Sequence, residues 1–182
     1  MIHTFVVYVE DRPGVLNRVA SLFRRRGYNI HSLTVGETET PEISRMTVTV
    51  ESDPAGARRI EAHLYKLVNV VRVEDITDRA SVVRDLVLIK VCADRQTRSQ
   101  IMELVHVFRA RVVDVAPASM VIEMTGTEDK IDGLLDVLRP YSVIEMVRTG
   151  RVAITRGVGS DGSVAAPMPA ATEPRDGVSY SV

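Results

Sequence analysis

What most restricts this chain is an order of patterned segments that occurs twice: strand, helix, strand, strand, helix, strand. In the first pass, Phe5, Val7 and Val9 alternate with Val6 and Tyr8. A run that is apolar on both faces predicts a strand inside a sheet rather than at its edge. The next segment sets Val15, Leu16, Val19, Leu22 and Phe23 on one side of a helix and Arg18, Ser21 and Arg25 on the other, and Gly27 ends it. Ile30 to Val35 is rich in β-branched residues, and Ser44 to Val50 alternates Met46, Val48 and Val50 with Arg45, Thr47 and Thr49. The polar run from Gly36 to Pro41 reads as the hairpin loop between these two strands. Ser52-Asp53-Pro54 opens a second helix with the stripe Ala57, Ile60, Leu64 and Leu67, and a strand from Val70 to Ile76 closes the pass.

After the polar stretch Thr77 to Ser81 the order recurs. Leu86 to Cys92 is an apolar strand interrupted only by Lys90. A helix follows with Ile101, Leu104, Val105 and Phe108 at helical spacing, then short strands at Val112 to Val115 and Met120 to Met124. Thr127 caps a helix carrying Ile131, Leu134, Leu135 and Leu138, which Pro140 stops. Val143 to Val147 and Val152 to Ile154 complete the set. Two helices with one apolar stripe each can cover one face of a four-stranded antiparallel sheet, so the expected class is α+β, two ferredoxin-like βαββαβ units in tandem. The expected domains are 1–77 and 82–156. The remaining sheet face of the first unit, with Val6 and Tyr8, predicts cover by a second subunit or domain. Residues 157–182 turn to Gly, Ser, Ala and Pro, a composition that predicts a disordered tail.

Between the first strand and the first helix stands Glu10-Asp11-Arg12-Pro13-Gly14-Val15-Leu16. The first N–H groups of a helix have no intrahelical partner and the macrodipole adds partial positive charge, so this junction suits a small carboxylate without any basic side chain. Pro13 fits the first helical turn, and Gly14 lets a ligand approach the backbone. Asp11 is placed either to cap the helix or to accept from a ligand ammonium. A zwitterionic amino acid satisfies both ends; a plain strand-to-helix turn uses the same residue types.

Signs of catalysis are sparse. His3, His31, His63 and His106 fall on four different elements without metal-ligand spacing, and they read as surface or strand-packing residues. Cys92, at the end of an apolar strand, reads as a buried inert thiol, and one cysteine cannot close an internal disulfide. No phosphate-binding Gly-rich loop or nucleophile elbow is present. Arg24-Arg25-Arg26 admits a phosphate or RNA contact, but a solvated, dipole-favoured last turn is the better reading. The strand Ser44 to Val50 has no aromatic residue on which a base could stack, and a net charge of -1 offers nothing to nucleic acid or an anionic membrane. With no apolar run of membrane-spanning length and no signal-peptide pattern, the expected location is cytoplasmic.

The stretches Asp11 to Val19, Arg26-Gly27-Tyr28-Asn29-Ile30, Ser32 to Val35, Ser44-Arg45-Met46-Thr47 and Lys66 to Val70 resemble the small, regulatory subunits of acetohydroxyacid synthase, also called acetolactate synthase. The first unit looks like their ACT domain, and the likeness continues through Phe108-Arg109-Ala110 and Asp114-Val115 to about Arg156. The resemblance implies a chain with no active site and no cofactor of its own. It implies a partner, the large catalytic subunit carrying thiamine diphosphate, Mg and FAD, which the small subunit activates and makes inhibitable by valine or another branched-chain amino acid. It also implies a homodimer through ACT domains. In the effector site so implied, Asp11, Gly14, Val15 and Leu16 come from one chain and Asn29 and Ile30 from its neighbour. Some members carry Asn where this chain has Asp11, which would alter the ammonium contact. The remaining alternative is a free-standing ACT-type amino-acid sensor acting on a different enzyme or regulator.

Overall fold

The structure is a computed structural model that describes residues 1–157; the expectation for the tail lies outside the described residues. The chain divides into two compact units, one of Met1–His31 with Val35–Asp78, the other of Arg79–Thr155 together with Ser32–Thr34.

In unit 1 the elements are β1 (Ile2–Glu10), α1 (Val15–Arg25), β2 (Ile30–Glu37), β3 (Ile43–Glu51), α2 (Pro54–Leu64) and β4 (Val70–Asp75). The sheet order is β2-β3-β1-β4, and β1 is antiparallel to both neighbours. The doubly apolar run was thus a sound guide: β1 is central. Register places Phe5 opposite Val48, and Val7 opposite both Met46 and Val73. That apolar face and the buried stripes Val15, Val19, Leu22 and Phe23 of α1 and Ala57, Ile60 and Leu64 of α2 form the core. Truncating a residue such as the fully buried Phe23 would cost about 3–5 kcal/mol. On the other face Thr4, Val6, Thr47 and Thr49 are buried as well.

Two helix ends of this unit follow their sequence signals closely. Pro54 opens α2, and the Asp53 carboxylate accepts from the Gly56 amide. At the end of α1, Gly27 has φ 71°; its N–H donates to Arg24 O and that of Tyr28 to Phe23 O at 3.0 Å, while the Phe23 and Tyr28 rings meet edge to face. This is the left-handed stop with a hydrophobic contact closing over it. The start of α1 departs from its signal. Pro13 does not lie in the first helical turn: it forms a turn with Gly14, and the helix begins at Val15. With that phase Leu16 leaves the buried stripe and is 45% exposed. Leu67 likewise lies beyond α2, which ends at Leu64.

Unit 2 repeats the plan with β5 (Ser81–Cys92), α3 (Arg98–Val107), β6 (Arg111–Val115), β7 (Ser119–Gly126), α4 (Glu128–Leu138), a short 3-10 turn (Arg139–Tyr141), β8 (Val143–Arg148) and β9 (Val152–Thr155). Its order, β6-β7-β5-β8, is the same arrangement with β5 in the place of β1. β5 starts earlier than its apolar stretch suggests, because Ser81 to Arg84 pair with β9. Val87, Ile89, Val91, Ile101, Met120, Ile122, Ile131, Leu134 and Leu138 form the core. Thr127 stands at the N-cap of α4 but makes no side-chain cap bond. Cys92 is exposed, not buried. Strand alternation explains this: Val87, Ile89 and Val91 point inward, so the next residue points out.

Candidate functional site

The corner after β1 is tied down from several sides. The Asp11 amide donates to Glu42 O at 2.7 Å and the Arg12 amide to Glu10 O at 3.0 Å. Glu42 itself sits at φ 61°, a conformation that only a well-determined surrounding maintains in a non-glycine residue. Gly14 occupies the N-cap of α1 at φ 84°, and no side chain caps this helix. Asp11 therefore is not a cap; its carboxylate has no partner among the described residues. A Cβ at Gly14 would meet nothing within 4 Å. The glycine is required by its backbone angle, and the space above it is open. The Val15 amide donates to Arg12 O at 3.3 Å, and no side chain among the described residues caps the helix; such a start, with an unpaired carboxylate and an open approach, can take up a small zwitterion on its next amides.

Of the other predicted residues, Val15 is 4% exposed and turned into the core, whereas Leu16 is at the surface. Only Leu16 can offer a ligand much apolar surface in this arrangement. Asn29 is exposed and Ile30 half-buried, and neither lies near Gly14 within the chain. The end of β2 lies beside the start of β3, where Thr38 N donates to Ile43 O at 3.0 Å and Ile43 is opposite Glu10. The start of β2 lies at the other end of the sheet, where His31 Nε2 approaches Glu51 Oε2 at 3.8 Å. Asn29 and Gly14 are thus separated by the length of the 8-residue β2, about 26 Å at ~3.3 Å per residue.

One supporting residue was missed by reading the sequence. Asn69 is 8% exposed; its carbonyl accepts from the Glu10 amide at 2.9 Å, its Nδ2 donates to Glu10 Oε2 at 2.7 Å, and its Oδ1 accepts from Arg18 Nη1. Glu10 also pairs with Arg12 at 3.2 Å. Asn69 thereby clamps the end of β1 to the first turns of α1 across the loop. The available signal was its place in the segment Lys66 to Val70, which the resemblance had marked without giving it a role.

The equivalent corner of unit 2 is closed. Asp94 Oδ1 accepts from Gln96 N at 2.9 Å and from Thr97 N and Oγ1 at 2.8 Å each. These bonds, Thr97's backbone N–H first, and the charge of Arg98 hold its carboxyl below the usual range. Among the described residues no three His, Cys, Asp or Glu side chains stand together as a metal-binding group, and no helix is long and apolar enough to cross a membrane.

Residues 5–72 match the model of the AHAS small subunit-like ACT domain, and residues 84–157 that of the small subunit of acetolactate synthase. A probable acetolactate synthase small subunit of Archaeoglobus fulgidus is 50% identical over 157 residues, which is 86% of this chain and 98% of the relative. The acetolactate synthase small subunit of Mycolicibacterium smegmatis is 50% identical over 155 residues, 85% of this chain and 91% of the relative. The crystal structure of the acetolactate synthase small subunit from Thermotoga maritima superposes with a TM-score of 0.81 at 39% identity, covering 86% of this chain and 98% of that one.

Proposed function

From the premise that this chain belongs to the family of acetolactate synthase small subunits, and so is partner to a catalytic subunit, we propose that it activates that subunit and makes it sensitive to valine or another branched-chain amino acid, as a feedback control on branched-chain amino acid synthesis. In this reading the chain is not itself a catalyst. Thiamine diphosphate, Mg and FAD reside in the large subunit, and the complex works in the cytoplasm.

The observation that carries the reading is the pairing of an open corner with a distant completing residue. Gly14 and Asp11 lie at one end of the sheet and Asn29 at the other, so a site using all three needs two chains. β2 is an edge strand, largely exposed toward its end. A second copy pairing antiparallel along that edge brings its own Asn29 and Ile30 to the Glu37 end, beside Asp11. The effector carboxylate then rests on the first amides of α1, its ammonium between Asp11 and the neighbour's Asn29 oxygen, and its aliphatic side chain against Leu16 and Ile30. Val15 contributes from beneath, by fixing the phase of the helix.

Control follows as linkage. An effector that binds one relative arrangement of the two chains better than another shifts that equilibrium, and the catalytic subunit responds to the shift; couplings of this kind are typically about 1–3 kcal/mol. Reconstitution tests it. Adding the chain to its catalytic subunit raises acetolactate formation, and valine, leucine or isoleucine lowers it again, with calorimetric binding of the same amino acid to the small subunit alone. An unchanged rate on reconstitution overturns the reading.

A further inference from the structure

Unit 1 has a cleft that the effector reading does not use. It lies between the last turn of α1 and the end of α2, is lined by Leu22, Arg25, Arg26, His63, Lys66 and Leu67, and has a volume of about 360 Å³. Leu22 is buried and Leu67 half-buried, which gives the cleft an apolar floor, while Arg25, Arg26 and Lys66 are exposed around it. A hollow of this size is within the range that holds a small molecule.

The charges are not disposed as on an ordinary solvated helix face. Arg25 behaves as cations at a helix end do, turning its Nε to Ser21 O at 3.3 Å. Arg26 and Lys66 do not: among the described residues neither pairs with a carboxylate. Arg59, one turn before His63 on α2, has only a long approach to Asp53 at 3.9 Å. Half-buried among them is His63, whose Nδ1 is cut off from solvent and has no hydrogen-bond partner. Burial first, then Arg26, Lys66 and Arg59, hold this imidazole below its ordinary pKa. Among the described residues Asp53 alone approaches these cations, and only at Arg59, so Arg26 and Lys66 act on one another without a paired carboxylate.

We infer that this cleft, with Arg26 and Lys66 converging over Leu22 and Leu67, is a second ligand site that takes a compact polyvalent anion of the phosphate or pyrophosphate class. Two elements bring like charges together over an apolar floor without a counter-ion among the described residues, and a multiply charged anion supplies the missing charge to both cations at once. Concavity favours a small molecule over an acidic protein surface, which needs breadth rather than depth. The site shares no residue with the Asp11–Gly14 corner, so its failure leaves the effector reading intact.

Inorganic pyrophosphate is the probe, titrated calorimetrically into the full chain at constant ionic strength. Saturable binding is expected at one per chain, weakened about tenfold by R26Q and about tenfold again by R26Q/K66Q, as charge-assisted hydrogen bonds of ordinary strength require. R95Q, the same charge change on unit 2, leaves binding unchanged. Unfolding midpoints of the variants no lower than the parent's show that these exposed substitutions have not disturbed the fold. Absence of binding, or binding indifferent to R26Q/K66Q, overturns the inference. Two further arms separate the sources of such an anion. Sedimentation with phosphatidylglycerol vesicles without binding of free pyrophosphate assigns the surface to a membrane, and tighter binding of poly-glutamate than of pyrophosphate assigns it to an acidic protein; either result overturns the small-molecule site.

Discussion

The corner after β1 and the corner after β5 occupy the same place in the same strand order, yet they are finished differently. After β5 the chain supplies its own anion: the Asp94 carboxylate takes the amides of Gln96 and Thr97 in the turn before α3, although among the described residues no side chain caps α3 itself. After β1 the chain supplies none. Gly14 turns the backbone at φ 84°, and among the described residues the Asp11 carboxylate has no partner. A fold built twice can thus engage the acidic side chain of one corner in its own turn and leave that of the other for a guest. The difference lies in a few residues, Asp11 to Gly14 against Asp94 to Thr97, and not in topology.

The largest expected effect comes from closing the open corner. Gly14→Asp places a carboxylate where the effector carboxylate would rest, and calorimetry should show branched-chain amino acid affinity reduced by at least about a hundredfold. Because any side chain is strained at that φ, Gly14→Ala is the companion variant. It should lose about 1–2 kcal/mol of stability yet retain measurable binding, since nothing within 4 Å obstructs a methyl group. Equal loss in both variants would trace the effect to strain rather than charge.

Next is the clamp beneath the corner. Asn69→Ala removes the side-chain bonds to Glu10 and Arg18, and chemical denaturation should report about 1–3 kcal/mol of lost stability together with weaker effector binding. The neighbouring pair Val15 and Leu16 separates packing from contact. Val15→Ala should cost about 2 kcal/mol through its buried side chain, whereas Leu16→Ala, exposed in the single chain, should leave stability nearly unchanged and weaken the effector.

The smallest effect concerns the closed corner. The bonds to Asp94 lower its pKa, so they stabilise the native state above the unfolded carboxyl pKa of about 3.9, and this contribution is lost as pH falls through the lower folded value. Asp94→Asn should therefore lower stability at neutral pH, where the contribution is fully present, and flatten the acid limb of the stability curve; effector stoichiometry should stay as in the parent chain, because an amide oxygen at this position still accepts from the Gln96 and Thr97 amides. A gain in stoichiometry would show that the charge of Asp94, and not the hydrogen-bonded turn, keeps a guest out of this corner.

Much of this was legible in the residues. Alternation found the strands and made β1 central, Asp53-Pro54 and Gly27 marked their helix ends, and the repeated order gave both sheets. The misreadings share a cause, in that each depended on phase or on distant contacts. A Pro-Gly pair can begin a helix or precede it, and the one-residue difference decides that Val15 faces inward while Leu16 faces out. Cys92 keeps the company of apolar neighbours in sequence, yet alternation turns it away from Val91. The role of Asn69 rests on bonds to Glu10, 59 residues away, which no local pattern encodes. The separation of Gly14 from Asn29 likewise appears only once β2 is placed at the sheet edge with its direction known.

That separation makes the shared site testable by mixing two defective chains. Gly14→Asp and Asn29→Ala should each abolish effector binding alone. In a dimer containing one of each, the Gly14 of the second variant meets the intact Asn29 of the first, so one site survives. An equal mixture allowed to exchange subunits should recover about one quarter of the parent's binding sites, at the parent's affinity. No recovery, or undiminished binding by Asn29→Ala alone, would contradict a cradle completed by a neighbouring chain.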